Sequence, residues 1–294
     1  MIDLHLHSNY SDGLDSPSQL IDLAINSKHK LRAIALTDHD SIDGIEDFLS
    51  NGEIKDIITI PGIELSIKHE PERDIKEVHI IGLNIDYQSL ELINSLKKQL
   101  KGRIEQKEKI CKRLREEFGF NITFSEVKTL AGSTSIGRPH IVEILMKNNP
   151  EKVKDKSKND LFKMISLNGE AYVFREFEFS IEEAVELINA TGGIPILAHP
   201  GIYEVKNRAK LLELCIKAGI KGIEIEYTYA KNRPYINTDK ADWAQDYFPN
   251  YYKKQADRFD LIKSGGSDYH GEGSNKIINI GESLVPDEYL KSFI

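Results

Sequence analysis

The feature that most restricts the fold of this chain is an alternation of short apolar runs with helix-like patterns. The runs are rich in β-branched residues, and such runs bounded by turn residues predict buried strands. Because parallel strands need a crossover connection, usually a helix, the alternation predicts a parallel α/β architecture. The predicted strands begin at residue 2 and recur near residues 32–37, 57–61, 78–84, 194–198, 222–226 and 261–266.

Helix signals lie between several of these strands. Ser16 and Ser180 stand directly before helix-like patterns, as N-cap residues do, and Pro17 takes a first helical position. Gly192 ends the second of these patterns, and a third pattern covers roughly residues 206–218. These signals place helices where a parallel sheet needs its crossovers.

A basic helical segment interrupts the alternation. Residues 95–165 hold 17 Lys and Arg against 9 Asp and Glu, whereas the rest of the chain holds 22 against 38. The segment therefore has a net charge of +8 inside a chain whose net charge is −8. We expect an inserted helical subdomain whose surface meets anions, although a solvated helix face is the commoner cause of such an excess.

Histidines and carboxylates gather at the ends of the predicted strands. His5 and His7 alternate with Leu4 and Leu6, so on a strand both imidazoles point the same way, about 6.5–7 Å apart. An isolated H-x-H is more often a solvated strand face than a metal site. Further donors reverse that assessment, because the ends of parallel strands meet at one rim of an α/β barrel. They are Asp12, His39, Glu64, His79, His199, Asp268 and His270.

The donor types indicate what this rim binds. Six imidazoles and three carboxylates, with no cysteine, suit Mn²⁺, Zn²⁺ or Fe²⁺ better than Mg²⁺ or Ca²⁺. Since a catalytic ion takes about three or four protein ligands, the set implies two or three ions. Closely spaced ions produce hydroxide from water at neutral pH and stabilise the attacking and leaving oxygens of a displacement at phosphorus. The residues therefore predict a hydrolytic metal centre.

The motifs that carry these residues resemble those of the PHP (polymerase and histidinol phosphatase) domain family. They are, in the family's order, DLHLHSNYSDG, ALTDHD, PGIELS, VHIIG, LAHP and GGSDYHG. The resemblance implies a distorted (β/α)7 barrel with a trinuclear metal site. We expect the barrel at residues 1–95 and 171–294, with the helical insertion at 96–170.

The resemblance also implies how the donors divide among the three ions. The implied ligand sets are His5, His7, Glu64 and Asp268; Glu64, His79 and His199; and Asp12, His39 and His270. Five of the ligands are expected to act in catalysis as well, through the hydroxide that the metals produce. They are Asp12, His39, His199, Asp268 and His270.

The phrase GRPHIVEILM, at residues 137–146, resembles a stand-alone branch of the family. Members of that branch hydrolyse nucleoside 3′,5′-bisphosphates, and some remove 5′ nucleotides from RNA. Pro139 suits the first turn of a helix, whose free N–H groups attract phosphate. Arg138 offers a planar fork for phosphate and His140 a further donor, although an exposed arginine beside a helix cap is the alternative. We expect a phosphoesterase acting on a nucleotide or short RNA, with Arg138 and His140 binding the substrate.

Three other functions remain open at this stage. Histidinol phosphate hydrolysis uses the same metals in another branch of the family, but the GRPH phrase argues against it. Amidohydrolase chemistry on a related barrel commonly uses a carbamylated lysine, and no lysine at a strand end stands out for that role. A metal-bearing module that binds nucleic acid without catalysis is disfavoured, because all the ligand positions are filled.

Two sets of residues are expected to support the metal centre. Asp38 precedes a ligand and is expected to orient an imidazole. Gly265 and Gly266 are expected to let the backbone approach the centre closely.

The aromatic segment at residues 226–254 is predicted to form a long loop or short helices. Tyr227, Tyr229, Trp243 and Tyr247 could either stack on a base or pack the loop onto the barrel. We favour packing, and we therefore expect other residues to determine which substrate binds.

The sequence carries no targeting signal that we can identify. The N-terminus shows no basic region followed by an apolar stretch, and no run reaches the about 18 apolar residues that a membrane span needs. Cys111 and Cys215 lie in helix-like contexts, which suits packing residues in a reducing compartment. The sequence therefore predicts a cytoplasmic protein without a signal peptide or membrane span.

Overall fold

The computed structural model describes residues 1–131, 136–274 and 278–294. The chain divides into two compact units, the first formed by Met1–Leu96 with Phe179–Ile294 and the second by Lys97–Glu178. The sequence placed the end of the insertion at residue 170, whereas the second unit continues to Glu178. In the described residues, no helix is long and apolar enough to cross a membrane.

The first unit is built on a seven-stranded sheet whose spatial order follows the chain. Buried β-branched and leucine residues recur in the first six strands, as the apolar runs predict, whereas the seventh buries Ser264 and Gly265. The strands are β1 (Ile2–Leu6), β2 (Ala33–Leu36), β3 (Ile58–Ser66), β4 (His79–Leu83), β5 (Ile194–Leu197), β6 (Gly222–Glu226) and β7 (Ile262–Gly265).

The helices follow the caps that the sequence shows. Ser16 and Ser180 each accept a hydrogen bond from the backbone of the first helical turn, at Gln19 N and Glu183 N. The helices are α1 (Pro17–Ile25), α2 (Ile45–Ile54), α3 (Leu90–Glu116), α4 (Phe124–Ala131), α5 (Arg138–Asn148), α6 (Pro150–Val153), α7 (Lys158–Ile165), α8 (Ile181–Ala190), α9 (Arg208–Ala218) and α10 (Ala241–Phe259).

Strand β4 breaks the parallel pattern. It runs antiparallel to both β3 and β5, whereas the other neighbouring strands pair in parallel. The expectation of an all-parallel sheet is therefore wrong at β4. The chain between β3 and β4 contains only a 3-10 turn at Pro71–Arg73, and without a crossover helix the next strand returns antiparallel. As a result β4 begins at the rim where its neighbours end.

The first and last strands meet, so the sheet forms a nearly closed barrel. The His5 carbonyl accepts a hydrogen bond from Asp268 N–H at 2.9 Å, and His7 N–H donates to the Tyr269 carbonyl at 3.0 Å. Leu6 and Tyr269 form a parallel bridge. The expected distorted α/β barrel is confirmed, and its seam carries three of the predicted metal ligands.

An apolar cluster fills the barrel and positions its rim. Ile60 belongs to this cluster, and Glu64 lies on the same face of β3 because residues two apart share a face. The same alternation relates Ile81 to His79 on β4. The polar donors therefore lie on the same inward strand faces as the apolar cluster, at the open end of the barrel. The cluster comprises Ile2, Leu4, Ala33, Ala35, Ile60, Ile81, Leu83, Ile196, Ala198, Val285, Tyr289, Leu290 and Phe293.

The second unit is helical and has a core of its own. Residues after 170 belong to it because they run along α3, where Gln106 Nε2 donates to the Val173 carbonyl at 2.6 Å. Farther along α3, Arg113 donates to the Tyr172 carbonyl at 3.0 Å. The buried core comprises Ile110, Cys111, Leu114, Phe120, Ile122, Val127, Ile136, Ile141, Val142, Ile144, Leu145, Val153, Leu161, Ile165 and Ala171.

The prediction for residues 226–254 is wrong in one respect, because much of the segment is helical. Helix α10 covers 19 residues and contains Pro249 in its interior. The signal that was missed is a four-residue spacing of buried side chains along one face. These side chains are Ala244, Phe248, Tyr252 and Ala256.

Candidate metal centre

The pairing of β1 with the end of β7 places His5 and His7 beside Asp268. The two Nε2 atoms of the histidines lie 3.0 Å apart, both turned inward. Asp268 Oδ1 lies 3.6 Å from His5 Nε2 and 3.2 Å from His7 Nε2. All three side chains are almost fully buried. The backbone of the barrel seam thus brings two imidazoles and one carboxylate to a common point.

Glu64 lies at the centre of the donors and is itself fully buried. Its Oε1 lies 2.9 Å from His79 Nδ1 and 2.9 Å from His199 Nε2. Its Oε2 lies within 3.3 Å of three further imidazole nitrogens. These are His5 Nε2 at 3.3 Å, His7 Nε2 at 3.3 Å and His39 Nδ1 at 3.0 Å. Both oxygens of one carboxylate therefore face imidazoles, which is the arrangement expected of a bridging ligand.

Asp12 forms the solvent side of the centre. Its Oδ1 lies 3.3 Å from His270 Nε2 and 3.8 Å from His7 Nδ1, and its Oδ2 lies 4.0 Å from His39 Nε2. The Asp12 side chain is 55% exposed, whereas the histidines around it are mostly buried. A substrate would reach the centre from this side.

The structure brings all the predicted ligands of the first unit together, in groups that overlap. Within each group the possible ligand atoms lie within 4.8 Å of one another. The groups are His7, Asp12, His39 and His270; His5, Glu64 and His199; His5, His7 and Asp268; and His39, Glu64 and His79. They share members with the sets implied by the family resemblance, although the division of donors among individual ions stays a prediction.

Unsatisfied buried atoms test whether these residues suit a cation. Among the described residues, Glu64 Oε2, His7 Nδ1, His39 Nδ1 and His199 Nδ1 are buried without a hydrogen-bond partner. Such atoms are costly in a protein interior, since each has lost its water. Carboxylate oxygens and imidazole nitrogens are all ligands for a borderline divalent ion. The donor set therefore fits a metal centre, and the number and identity of the ions are left to the proposal below.

The pKa values show how strongly the donors depend on positive charge. Burial alone would raise the pKa of Glu64, but His39, His79 and His5 hold it well below its usual range. Burial would lower the pKa of His7, but bonds to Asp268 and Glu64 raise it to about 9. Burial instead lowers the pKa of His39 to about 3 and also lowers the pKa of His199, so the imidazoles of the centre differ in how readily they hold a proton. A divalent ion would displace the protons that are present when it binds.

Glu224 supports the centre and was missed by the sequence reasoning. Nδ1–H of His5 donates to Glu224 Oε1 at 3.1 Å, which turns the Nε2 lone pair of His5 toward the centre. The backbone N–H of His199 donates to Glu224 Oε2 at 2.6 Å. One buried carboxylate thus fixes two ligands from different strands. Its signal was the alternating IEIE of β6, which repeats the two-residue spacing of the N-terminal histidines.

Tyr227 has a role other than the stacking that was considered for it. It is fully buried, and its hydroxyl donates to Asp268 Oδ2 at 2.7 Å. That bond leaves Asp268 Oδ1 directed at His5 and His7. Tyr229 is also fully buried. Neither ring can stack on a base, and packing is the correct alternative for both.

Backbone geometry at the seam supports the expectation for Gly266, whereas Gly265 lies against Glu226 and Val285 and not against a predicted ligand. A Cβ on Gly266 would lie 2.2 Å from the Cβ of His5, so only glycine fits there. Asp268 and His199 have positive φ angles of 56° and 24°. Non-glycine residues in this region are uncommon and cluster at functional sites, where the surroundings hold them in place.

Asp38 does not orient an imidazole as expected. Its Oδ1 accepts a hydrogen bond from Ser8 N–H at 2.7 Å, and its Oδ2 accepts one from the Ser8 hydroxyl at 2.6 Å. Ser8 directly follows the ligand His7, and its N–H is free because β1 has ended at Leu6. Asp38 therefore fixes the chain that leads to Asp12.

The two predicted substrate-binding residues lie in the second unit. Arg138 begins α5, and its guanidinium NH1 donates to Ser166 Oγ at 2.9 Å. His140 Nδ1 accepts a hydrogen bond from Gly137 N–H at 3.0 Å, so the neutral ring carries its proton on Nε2. Pro139 lies in the first turn, as expected. Phosphate binding by Arg138 and His140 stays a prediction.

The remaining aromatic residues lie on the exposed side of α10. Trp243 is 50% exposed and Tyr247 is 42% exposed. Their rings stack on each other at 4.9 Å between centroids. A base could therefore contact these two rings only on the faces that they do not turn toward each other.

Comparison with known proteins agrees with the fold and identifies the family. The PHP domain family model matches residues 3–171. A 3′,5′-nucleoside bisphosphate phosphatase from Chromobacterium violaceum is 30% identical over 282 residues, covering 94% of this chain and 90% of the relative. The 5′-3′ exoribonuclease Rnm of Escherichia coli is 29% identical over 274 residues, covering 91% of this chain and 84% of the relative.

A solved structure from Bifidobacterium adolescentis, described as a candidate metal-dependent phosphoesterase, superposes with a TM-score of 0.76. It is 24% identical, and the superposition covers 99% of this chain and 94% of that one. A nearly closed barrel with a rim of histidines and carboxylates defines a metallohydrolase class of protein. Within that class, the chain belongs to the PHP domain family.

Proposed function

We propose that this protein is a phosphoesterase that hydrolyses a nucleotide substrate, with three divalent ions at the rim of its first unit. The observation that carries the proposal is the convergence of five imidazoles on both oxygens of the buried Glu64. Manganese, zinc and iron suit these donors. When bound, such ions supply a nucleophile at neutral pH and stabilise charge on phosphoryl oxygens.

The side chains of the chain hold and orient this centre. His5, His7 and Asp268 support one ion, with Glu224 and Tyr227 fixing their orientation. We assign Glu64 to both the first and the second ion, as a bridging ligand. Asp12 is assigned to the third ion. Following the division that the family resemblance implies, we assign His79 and His199 to the second ion and His39 and His270 to the third.

The exposed side of the centre suits the approach of a phosphoester. Asp12 is the ligand most open to solvent, next to His39 and His270. These three residues, together with His199 and Asp268, are the ones we assign to catalysis. No protein nucleophile is needed.

The substrate class rests on the relatives. Two of them are named for a nucleoside bisphosphate and for RNA, and both align over most of this chain. Both substrates carry more than one phosphate, and Arg138 in the second unit offers a guanidinium for a phosphate that is not cleaved. We therefore propose a nucleoside 3′,5′-bisphosphate or the 5′ end of a short RNA.

Amidohydrolase chemistry is the alternative that the site disfavours. The bridging position is held by Glu64, whose ion-pair partners among the described residues are all histidines. A carbamylated lysine has no corresponding place there. Histidinol phosphate hydrolysis and metal binding without catalysis remain alternatives that one experiment separates.

The test loads the purified protein with Mn²⁺ and compares phosphate release from three substrates. These are adenosine 3′,5′-bisphosphate, histidinol phosphate and a short 5′-phosphorylated RNA whose shortening is followed on a gel. We expect turnover of the bisphosphate or the RNA and none of histidinol phosphate. A metal-loaded protein that hydrolyses none of the three contradicts the proposal. Preferred hydrolysis of histidinol phosphate would assign the protein to the branch of the family that hydrolyses this substrate.

A further inference from the structure

Two large apolar side chains lie exposed beside the most open of the predicted metal ligands, Asp12. All three residues belong to the segment 8–15, which connects β1 to α1 and which we call the rim loop. Tyr10 is 41% exposed and Leu14 is 56% exposed. Single exposed apolar residues are common, but a pair that flanks a ligand on both sides in the chain calls for an explanation.

Hydrogen bonds within the rim loop fix its backbone. The Ser8 carbonyl accepts from Ser11 N–H at 3.1 Å and from Gly13 N–H at 3.0 Å. Asn9 N–H donates to the Asp15 carbonyl at 2.9 Å, which closes the loop at its base. The rim loop therefore presents its exposed side chains at defined positions.

The ring of Tyr10 is packed along one edge and exposed elsewhere. A Cβ on Gly44 would lie 2.8 Å from Cδ2 of Tyr10, so the ring packs closely against this glycine at the start of α2. Tyr10 N–H donates to Ser8 Oγ at 3.2 Å, and the Ser8 hydroxyl is itself bonded to Asp38. Among the described residues, no aromatic ring contacts that of Tyr10. Its exposed surface is thus available to a planar ligand.

Leu14 lies next to the ligand His270. Its N–H donates to the His270 carbonyl at 2.9 Å. A Cβ on Gly271 would lie 2.6 Å from the Cβ of Leu14, so the leucine covers this glycine closely. His270 Nε2 in turn lies 3.3 Å from Asp12 Oδ1. Leu14 therefore borders the exposed side of the metal centre.

The position and charge of the rim loop indicate which part of a substrate it contacts. Two residues of chain span at most about 7 Å, so the backbone of Tyr10 and of Leu14 lies within that distance of Asp12. The rim loop holds no basic residue, and its charged residues are Asp12 and Asp15. It therefore repels free anions and suits an uncharged group that is attached to a phosphate at the metal centre.

We propose that the rim loop is a nucleobase site, in which the base of the substrate stacks on Tyr10 and contacts Leu14 while its phosphate lies at the metal centre. Aromatic side chains stack on any base, because every base has a π-face. The site thus selects a nucleotide over a sugar phosphate without selecting one base. This inference rests on the proposed function, since it takes the substrate to be a nucleotide.

The first experiment measures kcat/KM for adenosine 3′,5′-bisphosphate and for 1-deoxyribose 3,5-bisphosphate, which lacks the base. The ratio of the two values reports contact with the base. We expect Tyr10→Ala to lower this ratio about tenfold, as the loss of one stacking ring does. Leu14→Ala should lower it about threefold, because less apolar surface is lost. Tyr10→Phe keeps the ring and should keep the ratio.

Tyr247→Ala is the matched control, because Tyr247 is 42% exposed and lies outside the rim loop. It should leave the ratio at the wild-type value. Equal losses of Tyr10→Ala on both substrates assign Tyr10 a merely structural role and contradict the proposal, as does a wild-type ratio near one. Should Tyr10→Ala lose bound metal, Tyr10→Leu serves instead, because it keeps an apolar side chain against Gly44 without an aromatic face.

The second experiment separates the nucleobase site from the proposed function. It measures the Tm of Mn²⁺-loaded protein with adenosine 5′-monophosphate and with ribose 5-phosphate. We expect the nucleotide to raise the Tm of wild type more than the sugar phosphate does, and both to act equally on Tyr10→Ala. Equal shifts in wild type overturn the nucleobase site. If wild type hydrolyses neither bisphosphate, the proposed function fails, and the Tm comparison still decides whether the rim loop binds a base.

Discussion

The two units of this protein bring charged groups together in opposite ways. In the first unit, strand ends gather histidines and carboxylates around Glu64, and every close partner of that carboxylate is an imidazole. In the second unit, helix α3 and the segment that runs along it gather cations around Lys107. A divalent cation is the ligand that complements the donors of the first unit.

The difference also concerns how precisely each scaffold positions its groups. Glycine at position 266, the seam hydrogen bonds and the bonds of Glu224 and Tyr227 hold the metal donors on a rigid barrel. In the second unit, Arg138 and Arg175 are long side chains that donate hydrogen bonds to Ser166 and Gln106. Substitutions that displace a donor of the first site should therefore act through its geometry.

The largest effect is expected for Glu64→Gln. The substitution keeps the shape but removes the charge that the surrounding imidazoles share, so bound metal should be lost. Phosphate release should fall to below about a thousandth of wild type. Metal content per chain and the initial rate are the measurements. Glu70→Gln is the control, because Glu70 is a buried carboxylate that pairs with Arg73 outside the centre.

A smaller effect is expected for Glu224→Gln. The amide can still accept from His5 or from the His199 backbone but lacks the charge that strengthens both bonds. Metal affinity should fall about 10- to 100-fold, with activity restored at high Mn²⁺. Glu226→Gln lies two residues farther along β6 and contacts Tyr289 instead, so it should leave metal affinity unchanged. Equal effects of both variants would refute the role given to Glu224.

Tyr227→Phe should have a more modest consequence. It removes one hydrogen bond to Asp268 Oδ2 and keeps the ring in its buried position. The affinity for metal should fall about tenfold, as measured by Mn²⁺ titration of the rate. Tyr289→Phe removes a comparable bond, to Glu226, and should leave the titration unaltered. If the two variants titrate alike, Tyr227 has only a packing role.

The smallest effect is expected for Trp243→Ala. The side chain is half-exposed on α10 and stacks on Tyr247. The KM for a short RNA should change less than about twofold, since a base that stacked there would contribute roughly 1–3 kcal/mol. A tenfold rise in KM for RNA, with no change for the bisphosphate, would show that α10 binds bases and that a third site is needed.

The metal donors could be predicted from the sequence because barrel topology brings strand ends together. His5, Glu64 and Asp268 needed no knowledge of side-chain packing, only the positions of strands. His79 was found by its motif, but its place at the beginning of a strand required the antiparallel β4. The α/β architecture followed from the alternation of strands and helices, and the barrel from the resemblance to the PHP family.

Residues that depend on tertiary packing could not be predicted. Glu224 lies in the same strand as Glu226, and the sequence does not show which of the two carboxylates contacts His5. Only the fold decides this. Lys107 is one of many lysines in a basic segment, and composition does not tell which lysine is buried. Helix α10 was missed because the aromatic composition of the segment drew attention away from a four-residue spacing of buried residues.

The central claim is that the donors around Glu64 hold the ions that hydrolyse the phosphoester. The most direct measurement adds Mn²⁺ stepwise to chelator-treated protein and records bound metal and phosphate release from adenosine 3′,5′-bisphosphate in the same samples. The account predicts that the rate is absent without metal, rises as the ions bind, and that Glu64→Gln shows neither binding nor rate. Full activity in the chelator-treated protein, or in Glu64→Gln, would contradict it.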